Sequence, residues 1–254
     1  MSMPSTVQDH RRPVPFGRLI LVHARIWRAQ NGVVAGCLLA LAVGVLSVAG
    51  SMATLSGTVT AAAVSTRFGG LPIVAFSLLW SAVGAIAGAA PFRSGWAAVL
   101  LTVAPRRGRW LAACLASFLL LTAAVTVLFT ALAFVVTVVV LAAKGHNPAP
   151  AVSIGRSAGA ALVIVVIQAG IGFLLGAATR SVTASIIIGY VVSPTLPLAR
   201  IGSVDLGRWL DLDGALTTLS SGPGHALPAA LTAVVLWVAV PALAAWSRLR
   251  SSVA

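Results

Sequence analysis

Six blocks of apolar residues dominate the sequence, and short polar segments separate them. The blocks cover residues 33–52, 71–91, 110–142, 157–178, 182–199 and 226–246. About 17–25 apolar residues are enough for a helix to cross the hydrocarbon layer of a membrane. The pattern therefore predicts an all-α membrane protein, with six transmembrane helices in a single transmembrane domain of 254 residues.

The third block, residues 110–142, is longer than one span requires. Two short spans would explain its length. However, no proline, glycine or charged residue lies between Cys114 and Lys144. The sequence therefore favours one helix that is tilted or projects beyond the membrane.

The charge distribution predicts the orientation of the chain. The net charge of +13 would indicate nucleic-acid binding in a soluble protein, but here the basic residues are scattered between apolar blocks, so we expect no nucleic-acid partner. Basic residues are enriched on the cytoplasmic side of membrane proteins. With both termini in the cytoplasm, only five of the 17 basic residues lie outside. These are Arg67, Lys144, Arg156, Arg200 and Arg208.

An amphipathic segment precedes the first span. After a flexible stretch over residues 1–15, the spacing predicts a helix over residues 16–30 that lies in the inner membrane interface. Its arginines fall on the side opposite its large apolar residues, which we expect to face lipid. An ordinary cytoplasmic helix packed on a partner is the alternative. The two sides are formed by Arg18, Arg25 and Arg28, and by Phe16, Leu19, Ile20, Ile26 and Trp27.

The inner connection between spans two and three has a pattern of its own. Residues 92–105 predict a short helix that ends at Pro105, and three arginines follow it before the chain re-enters the membrane. Such a helix could insert into a cytoplasmic partner, because aromatic side chains and arginines suit an interface. A plain basic loop is the alternative. The residues are Phe92, Trp96, Val99, Leu100 and Val103 along one face, then Arg106, Arg107 and Arg109.

The last outer segment, residues 200–224, is broken repeatedly by glycine and proline. Its mixture of apolar and acidic residues predicts a partly re-entrant hairpin that packs on protein at the outer surface.

The shortage of ionisable side chains excludes several functions. The four acidic residues, Asp9, Asp205, Asp211 and Asp213, all lie outside the predicted spans, which disfavours a proton relay. Sodium coupling through carbonyls and hydroxyls stays possible. The single lysine, Lys144, precedes Gly145 and does not form a phosphate-binding loop, so the chain does not hydrolyse ATP.

No enzyme or metal site is predicted either. Ser220, Ser221 and His225 lie in a glycine- and proline-rich segment without an orienting acid, which is typical of a turn. Cys37 and Cys114 are lone thiols in apolar blocks, which indicates packing residues, not metal ligands.

Several residues inside the spans are candidates to line a substrate cavity. Trp80 and Gln168 lie deep in spans two and four, and the threonines of span three repeat every fourth residue. Each has a structural alternative, since a buried polar group can find a partner in the bundle and a helical threonine can bond to its own backbone. The candidates are Trp80, Thr122, Thr126, Gln168 and Tyr190.

Two pairs of glycines predict close approach of helices. Gly84 with Gly88 and Gly172 with Gly176 each have small-xxx-small spacing. They favour helix packing and, more weakly, a dimer.

Together these features resemble the type-two ABC-transporter permeases, the membrane subunits of bacterial drug, antibiotic and polysaccharide exporters. The amphipathic helix before span one and the broken outer hairpin fit the family layout. Two motifs resemble family signatures. They are the coupling segment Pro91-Phe92-Arg93-Ser94-Gly95 through Leu100-Leu101-Thr102-Val103-Ala104-Pro105-Arg106-Arg107, and the turn Gly172-Phe173-Leu174-Leu175-Gly176-Ala177-Ala178-Thr179-Arg180-Ser181.

The resemblance implies a half-transporter in a bacterial plasma membrane. Two copies, or this chain and a paralogue, would pair above two ABC ATPase subunits, which would bind ATP and Mg. A lipophilic or amphipathic small molecule would sit between the halves. The family usually has a glutamate in the coupling segment, and none occurs between Pro91 and Arg109. The implied ATPase contacts are Phe92, Arg93, Trp96, Leu100, Pro105, Arg106 and Arg107.

Three other functions compete with this interpretation. An ion-gradient-driven transporter or channel would need no ATPase. An intramembrane enzyme is disfavoured by the shortage of histidine and acidic side chains. A membrane scaffold or immunity protein would shield cells by binding a toxin without pumping it.

Overall fold

The computed structural model describes residues 15–95, 107–192, 215 and 227–251. Over these residues the chain forms helices and turns, without a β-strand. Five of the described segments are long and apolar enough to cross a membrane. In chain order the helices are α1 (Phe16–Ala29), α2 (Asn31–Ala53), α3 (Ala61–Gly69), α4 (Leu71–Arg93), α5 (Arg107–Ala143), α6 (Ser153–Thr179), α7 (Val182–Ile187) and α8 (Leu227–Ser251).

The prediction of an all-α membrane protein is confirmed over the described residues. Five of the six predicted spans fall on α2, α4, α5, α6 and α8. The fifth predicted span, residues 182–199, begins as α7 and continues as a π-helical turn over Ile188–Val192. Its remainder lies outside the described residues, so a total of six spans stays a prediction.

The third predicted span is a single helix of 37 residues, α5. Because proline and glycine are absent between Cys114 and Lys144, nothing in the sequence interrupts its backbone hydrogen bonds.

A short helix, α3, was not predicted. Thr60 caps its first turn, since its side-chain oxygen accepts a hydrogen bond from the backbone N–H of Ala63. Val64 and Phe68 are buried, and Gly70 separates α3 from α4. Its nine residues are too few for a span and carry only a short apolar pattern, which explains why the sequence did not reveal it.

The glycine pairs on α4 and α6 pack against each other within one chain. A β-carbon added to Gly88 would lie 2.0 Å from the carbonyl oxygen of Phe173, and one added to Gly172 would lie 2.0 Å from that of Ser81. Gly84 and Gly176 make similar backbone contacts. Both motifs therefore pack against each other inside the chain, and their contacting faces are not exposed to a second chain.

Aromatic rings fill the core beside this pair. Phe76 stacks on Phe129 with ring centroids 4.0 Å apart, and Phe118 stacks on Phe173 at 5.6 Å. Trp80 is fully buried between Phe76 and Phe118. These contacts join α4, α5 and α6 into one body.

Lys144 and Arg67 lie at the end of the bundle that the charge distribution predicts to be outside, and both contact the C-terminal end of α2. The ammonium of Lys144 donates to the carbonyl of Ala53, 2.7 Å away, and to that of Leu55. It thereby satisfies carbonyls at the C-terminal end of α2, where a cation is favoured by the helix dipole. Arg67 donates to the hydroxyl of Thr54. These two basic residues therefore have a structural role.

Helix α1 docks on α5 through Trp27, which is buried. The indole N–H of Trp27 donates to Ser117 Oγ at 2.9 Å, and its ring makes edge contacts with Phe118 and Phe173. The prediction that Trp27 faces lipid is therefore wrong. Hydrophobicity alone does not distinguish a lipid-facing side chain from a protein-facing one, and here the N–H finds its acceptor in the bundle.

Candidate functional site

Two of the residues predicted to contact an ATPase lie at the end of α4. Phe92 is half-buried and Arg93 is exposed. Arg107 begins α5, and only its backbone is described. Trp96, Leu100, Pro105 and Arg106 lie outside the described residues, as does most of the predicted coupling helix over residues 92–105. The outer hairpin over residues 200–224 also lies outside them, apart from Ala215.

The two ends of this connection lie close together. The rings of Phe92, in the last turn of α4, and Trp110, in the first turn of α5, meet edge to face with centroids 6.3 Å apart. Gly95 adopts the left-handed conformation, with φ of 71°, where the chain leaves α4. The segment between α4 and α5 is therefore anchored at both of its ends.

Gly108 brings α8 against the start of α5. A β-carbon at this position would lie 1.9 Å from Cζ3 of Trp246, so the Trp246 ring covers the glycine directly. Arg250 in turn lies over the Trp246 ring, with its guanidinium carbon 5.1 Å from the centroid.

Arg180 joins three helices at the same end of the bundle. It ends α6 in the left-handed conformation, with φ of 57°, where glycine is usual. Its guanidinium carbon lies 5.2 Å from the centroid of Phe92, and its Nη2 donates to the carbonyl of Arg248 at 3.0 Å. One side chain thus contacts the end of α4 and satisfies a carbonyl in the last turn of α8.

The residues on either side of Arg180 fix this turn. Ser181 Oγ accepts a hydrogen bond from the backbone N–H of Ala184 and so caps α7. The hydroxyls of Thr179 and Ser185 lie 2.8 Å apart, and Thr179 Oγ1 also donates to the carbonyl of Leu175. We call the set Phe92, Gly108, Trp110, Arg180 and Trp246 the inner cluster.

His23 extends the inner cluster to α1. Its ring is buried and lies edge-on to Trp110, with centroids 6.3 Å apart. Nδ1 lies 2.7 Å from the carbonyl oxygen of Leu19, which fits an Nδ1–H donor. Burial lowers the pKa of His23, while the bond to Leu19 partly opposes that shift, so the neutral ring is favoured. Nε2 of His23 and Nε1 of Trp110 are both buried without a hydrogen-bond partner among the described atoms.

Four of the five proposed substrate-cavity residues are buried in the helix bundle, and the fifth, Tyr190, is half-buried. Trp80 and Thr122 are fully buried. The Trp80 ring contacts the Phe118 ring, and the Thr122 hydroxyl donates a hydrogen bond to the Phe118 carbonyl. Gln168 is buried on α6. The Tyr190 hydroxyl donates to the carbonyl of Leu78 on α4.

A cleft opens between α5 and α6, and Thr126 is the candidate that lines it. The cleft has a volume of about 680 Å³. Thr126 and Thr130 donate to the carbonyls of Thr122 and Thr126, so their hydroxyls are already satisfied by the helix. The cleft therefore presents an apolar surface. The rest of its lining is Val127, Ala131, Phe134, Val135, Val152, Ile154, Gly155, Ala158, Gly159 and Leu162.

The described residues do not bring metal-binding groups together. In these ranges no three histidine, cysteine or acidic side chains are close enough to hold a metal ion. All four aspartates, at positions 9, 205, 211 and 213, fall outside them.

Sequence reasoning missed most of the inner cluster. Trp110, Trp246 and Gly108 were not singled out, although each tryptophan lies at a span end close to an arginine in sequence. Arg180 was noted only as part of a motif, because its partner Arg248 lies 68 residues away. No protein-family model and no curated protein matches this chain.

Proposed function

We propose that this chain is the permease subunit of an ATP-driven ABC exporter, moving a lipophilic or amphipathic compound out of the cell. The observation that supports the proposal best is the inner cluster. It fastens both ends of the segment between α4 and α5 to α6 and α8, through the Phe92–Trp110, Phe92–Arg180 and Gly108–Trp246 contacts. A force on that segment would therefore reach several helices at once.

The proposed mechanism uses this connection as the coupling element. Two copies of the chain, or one copy and a paralogue, pair above two ATPase subunits that bind ATP and Mg. Closure of the ATPase subunits pushes on residues 92–105, with Arg93, Arg106 and Arg107 as contacts. The backbones of α4 and α6 are in direct contact at Gly84, Gly88, Gly172 and Gly176, so the two helices move as one unit. The two membrane halves then rock between inward-open and outward-open states.

The side chains of the bundle support the proposed substrate class. The described helices contain no carboxylate, and the cleft between α5 and α6 is apolar. An apolar surface binds lipophilic groups by burial and offers no counter-ion for a compact charged substrate. We therefore propose a lipophilic or amphipathic compound as the substrate. The side chains that become accessible to it during transport are Trp80, Thr122, Thr126, Gln168 and Tyr190.

Transport in inside-out vesicles tests the proposal. The chain is co-expressed with the ATPase that purifies with it, and uptake of a fluorescent lipophilic cation is followed. We expect uptake that requires ATP and disappears when the catalytic residue of the ATPase is replaced. Uptake that follows a sodium gradient without ATP would establish a secondary transporter. Protection of cells that survives inactivation of the ATPase would establish an immunity protein.

A further inference from the structure

Helix α1 presents a basic stripe on the side that faces away from the bundle. Arg18, Leu21, Arg25 and Arg28 follow one another at spacings of three, four and three residues, which places them along one side of a helix. All four are exposed, and Leu21 retains 66% of its accessible surface. We call these four residues the outer stripe of α1.

The opposite side of α1 is already occupied. His23 and Trp27 are buried against α5, where they contact Trp110 and Ser117. Docking thus fixes the rotation of the helix about its axis. The outer stripe is therefore held outwards and is not free to turn inwards.

The connection to α2 places the stripe at the membrane surface. Gln30 alone joins α1 to α2, which is the first predicted span. His23 and Trp27 contact Trp110 and Ser117 near the start of α5, so α1 lies beside the ends of two predicted spans. An exposed leucine between arginines suits this boundary, where apolar side chains reach acyl chains and guanidinium groups reach phosphates.

The charge of the stripe is not neutralised within the described chain. No acidic residue occurs there, and the whole sequence contains four. Guanidinium groups stay charged and form paired hydrogen bonds with phosphate oxygens. We infer that the outer stripe of α1 binds the headgroups of anionic phospholipids and so enriches them around the N-terminal helix. The inference does not depend on the proposed transport function.

Local quenching in reconstituted full-length protein tests this inference. A fluorophore is attached to Leu21→Cys in a chain that also carries Cys37→Ala and Cys114→Ala. The protein is reconstituted in membranes of equal amounts of phosphatidylglycerol and phosphatidylcholine. In one sample the phosphatidylglycerol has brominated, quenching chains, and in the other sample the phosphatidylcholine has them. From the quenching we expect a local concentration of phosphatidylglycerol about fivefold that of phosphatidylcholine. This factor corresponds to about 1 kcal/mol, the attraction of one arginine to an anionic surface.

Matched variants separate the stripe from general effects. Arg18→Lys with Arg25→Lys and Arg28→Lys keeps the charge and should keep the preference, whereas glutamine at the same three positions should abolish it. A fluorophore at Leu46→Cys, which is 69% exposed on α2, should show no preference. Unfolding temperatures in detergent verify that the variants fold.

Three results would overturn the inference. The first is equal quenching by both lipids at position 21 in the labelled chain that keeps its three arginines. The second is a preference that survives the triple glutamine variant. The third is a fluorophore that no lipid quenches and that is shielded by a bound protein, which would assign the stripe to a protein partner.

Discussion

At the scale of single residues, glycines set the distance between α4 and α6. At Gly88 and Gly172, a β-carbon would overlap a backbone carbonyl, which cannot move aside as a flexible side chain can. Gly155 and Gly159 lie on the same helix α6, and a β-carbon there would meet no atom within 4 Å. Glycines on one helix therefore differ in role, and substitution can distinguish them.

Gly88→Ala should destabilise the protein by about 1–3 kcal/mol, because the added methyl group forces the two backbones apart. Gly159→Ala should be neutral or slightly stabilising, since alanine favours the helix and the site is open. Thermal unfolding in detergent measures both. Equal stability of the two variants would contradict the close approach of α4 and α6.

The hydrogen bond between Trp27 and Ser117 is a second single-residue determinant. Ser117→Ala removes the acceptor and leaves the buried indole N–H without a partner, which should cost about 1–3 kcal/mol. Trp27→Phe removes the donor, and the Ser117 hydroxyl keeps its bond to the carbonyl of Cys114. In a double-mutant cycle by thermal unfolding, the double variant should be destabilised by less than the sum of the two single substitutions. Additive effects of the two substitutions would show that the bond does not form.

At the scale of elements, α1 is a separate helix whose attachment rests on a few buried groups. His23, Trp27 and their partners on α5 supply the described contacts that fix its rotation. The sequence predicted the helix and the side that bears its arginines. It could not predict whether the apolar side meets lipid or protein, because both environments favour the same residues.

The pKa of His23 makes the docking of α1 sensitive to acid. Burial lowers this pKa below its ordinary value of 6.5, so the docked state favours the neutral ring. The stabilisation is present above about pH 6.5 and is lost as the pH falls through the lowered pKa. Thermal unfolding between about pH 7.5 and about pH 5.5 should show this loss. His23→Phe should reduce the pH dependence, and His146→Gln, on the connection between α5 and α6, should leave it intact.

An unchanged pH dependence in His23→Phe would contradict this account. It would show that protonation elsewhere controls acid sensitivity, and that the His23 ring contributes to docking only by its shape.

At the scale of the whole molecule, the sequence predicted the long helices well because apolar length is a strong signal. It missed α3, whose nine residues carry little pattern, and most of the inner cluster, whose members come from different parts of the chain. The contact of Arg180 with Arg248 depends on how α6 and α8 pack, which no local pattern encodes. The ATPase contact surface stays a prediction, since Trp96, Leu100, Pro105 and Arg106 lie beyond the described residues.

Isolation of the intact complex tests the central claim most directly. The chain is purified from native membranes in mild detergent, and the proteins that accompany it are identified and counted. We predict a stoichiometric ABC ATPase subunit that is lost when Arg93, Trp96 and Arg106 are replaced by alanine, while Arg67→Ala at the opposite end retains it. A chain that repeatedly purifies alone, or only with copies of itself, would contradict the assignment as an ABC permease.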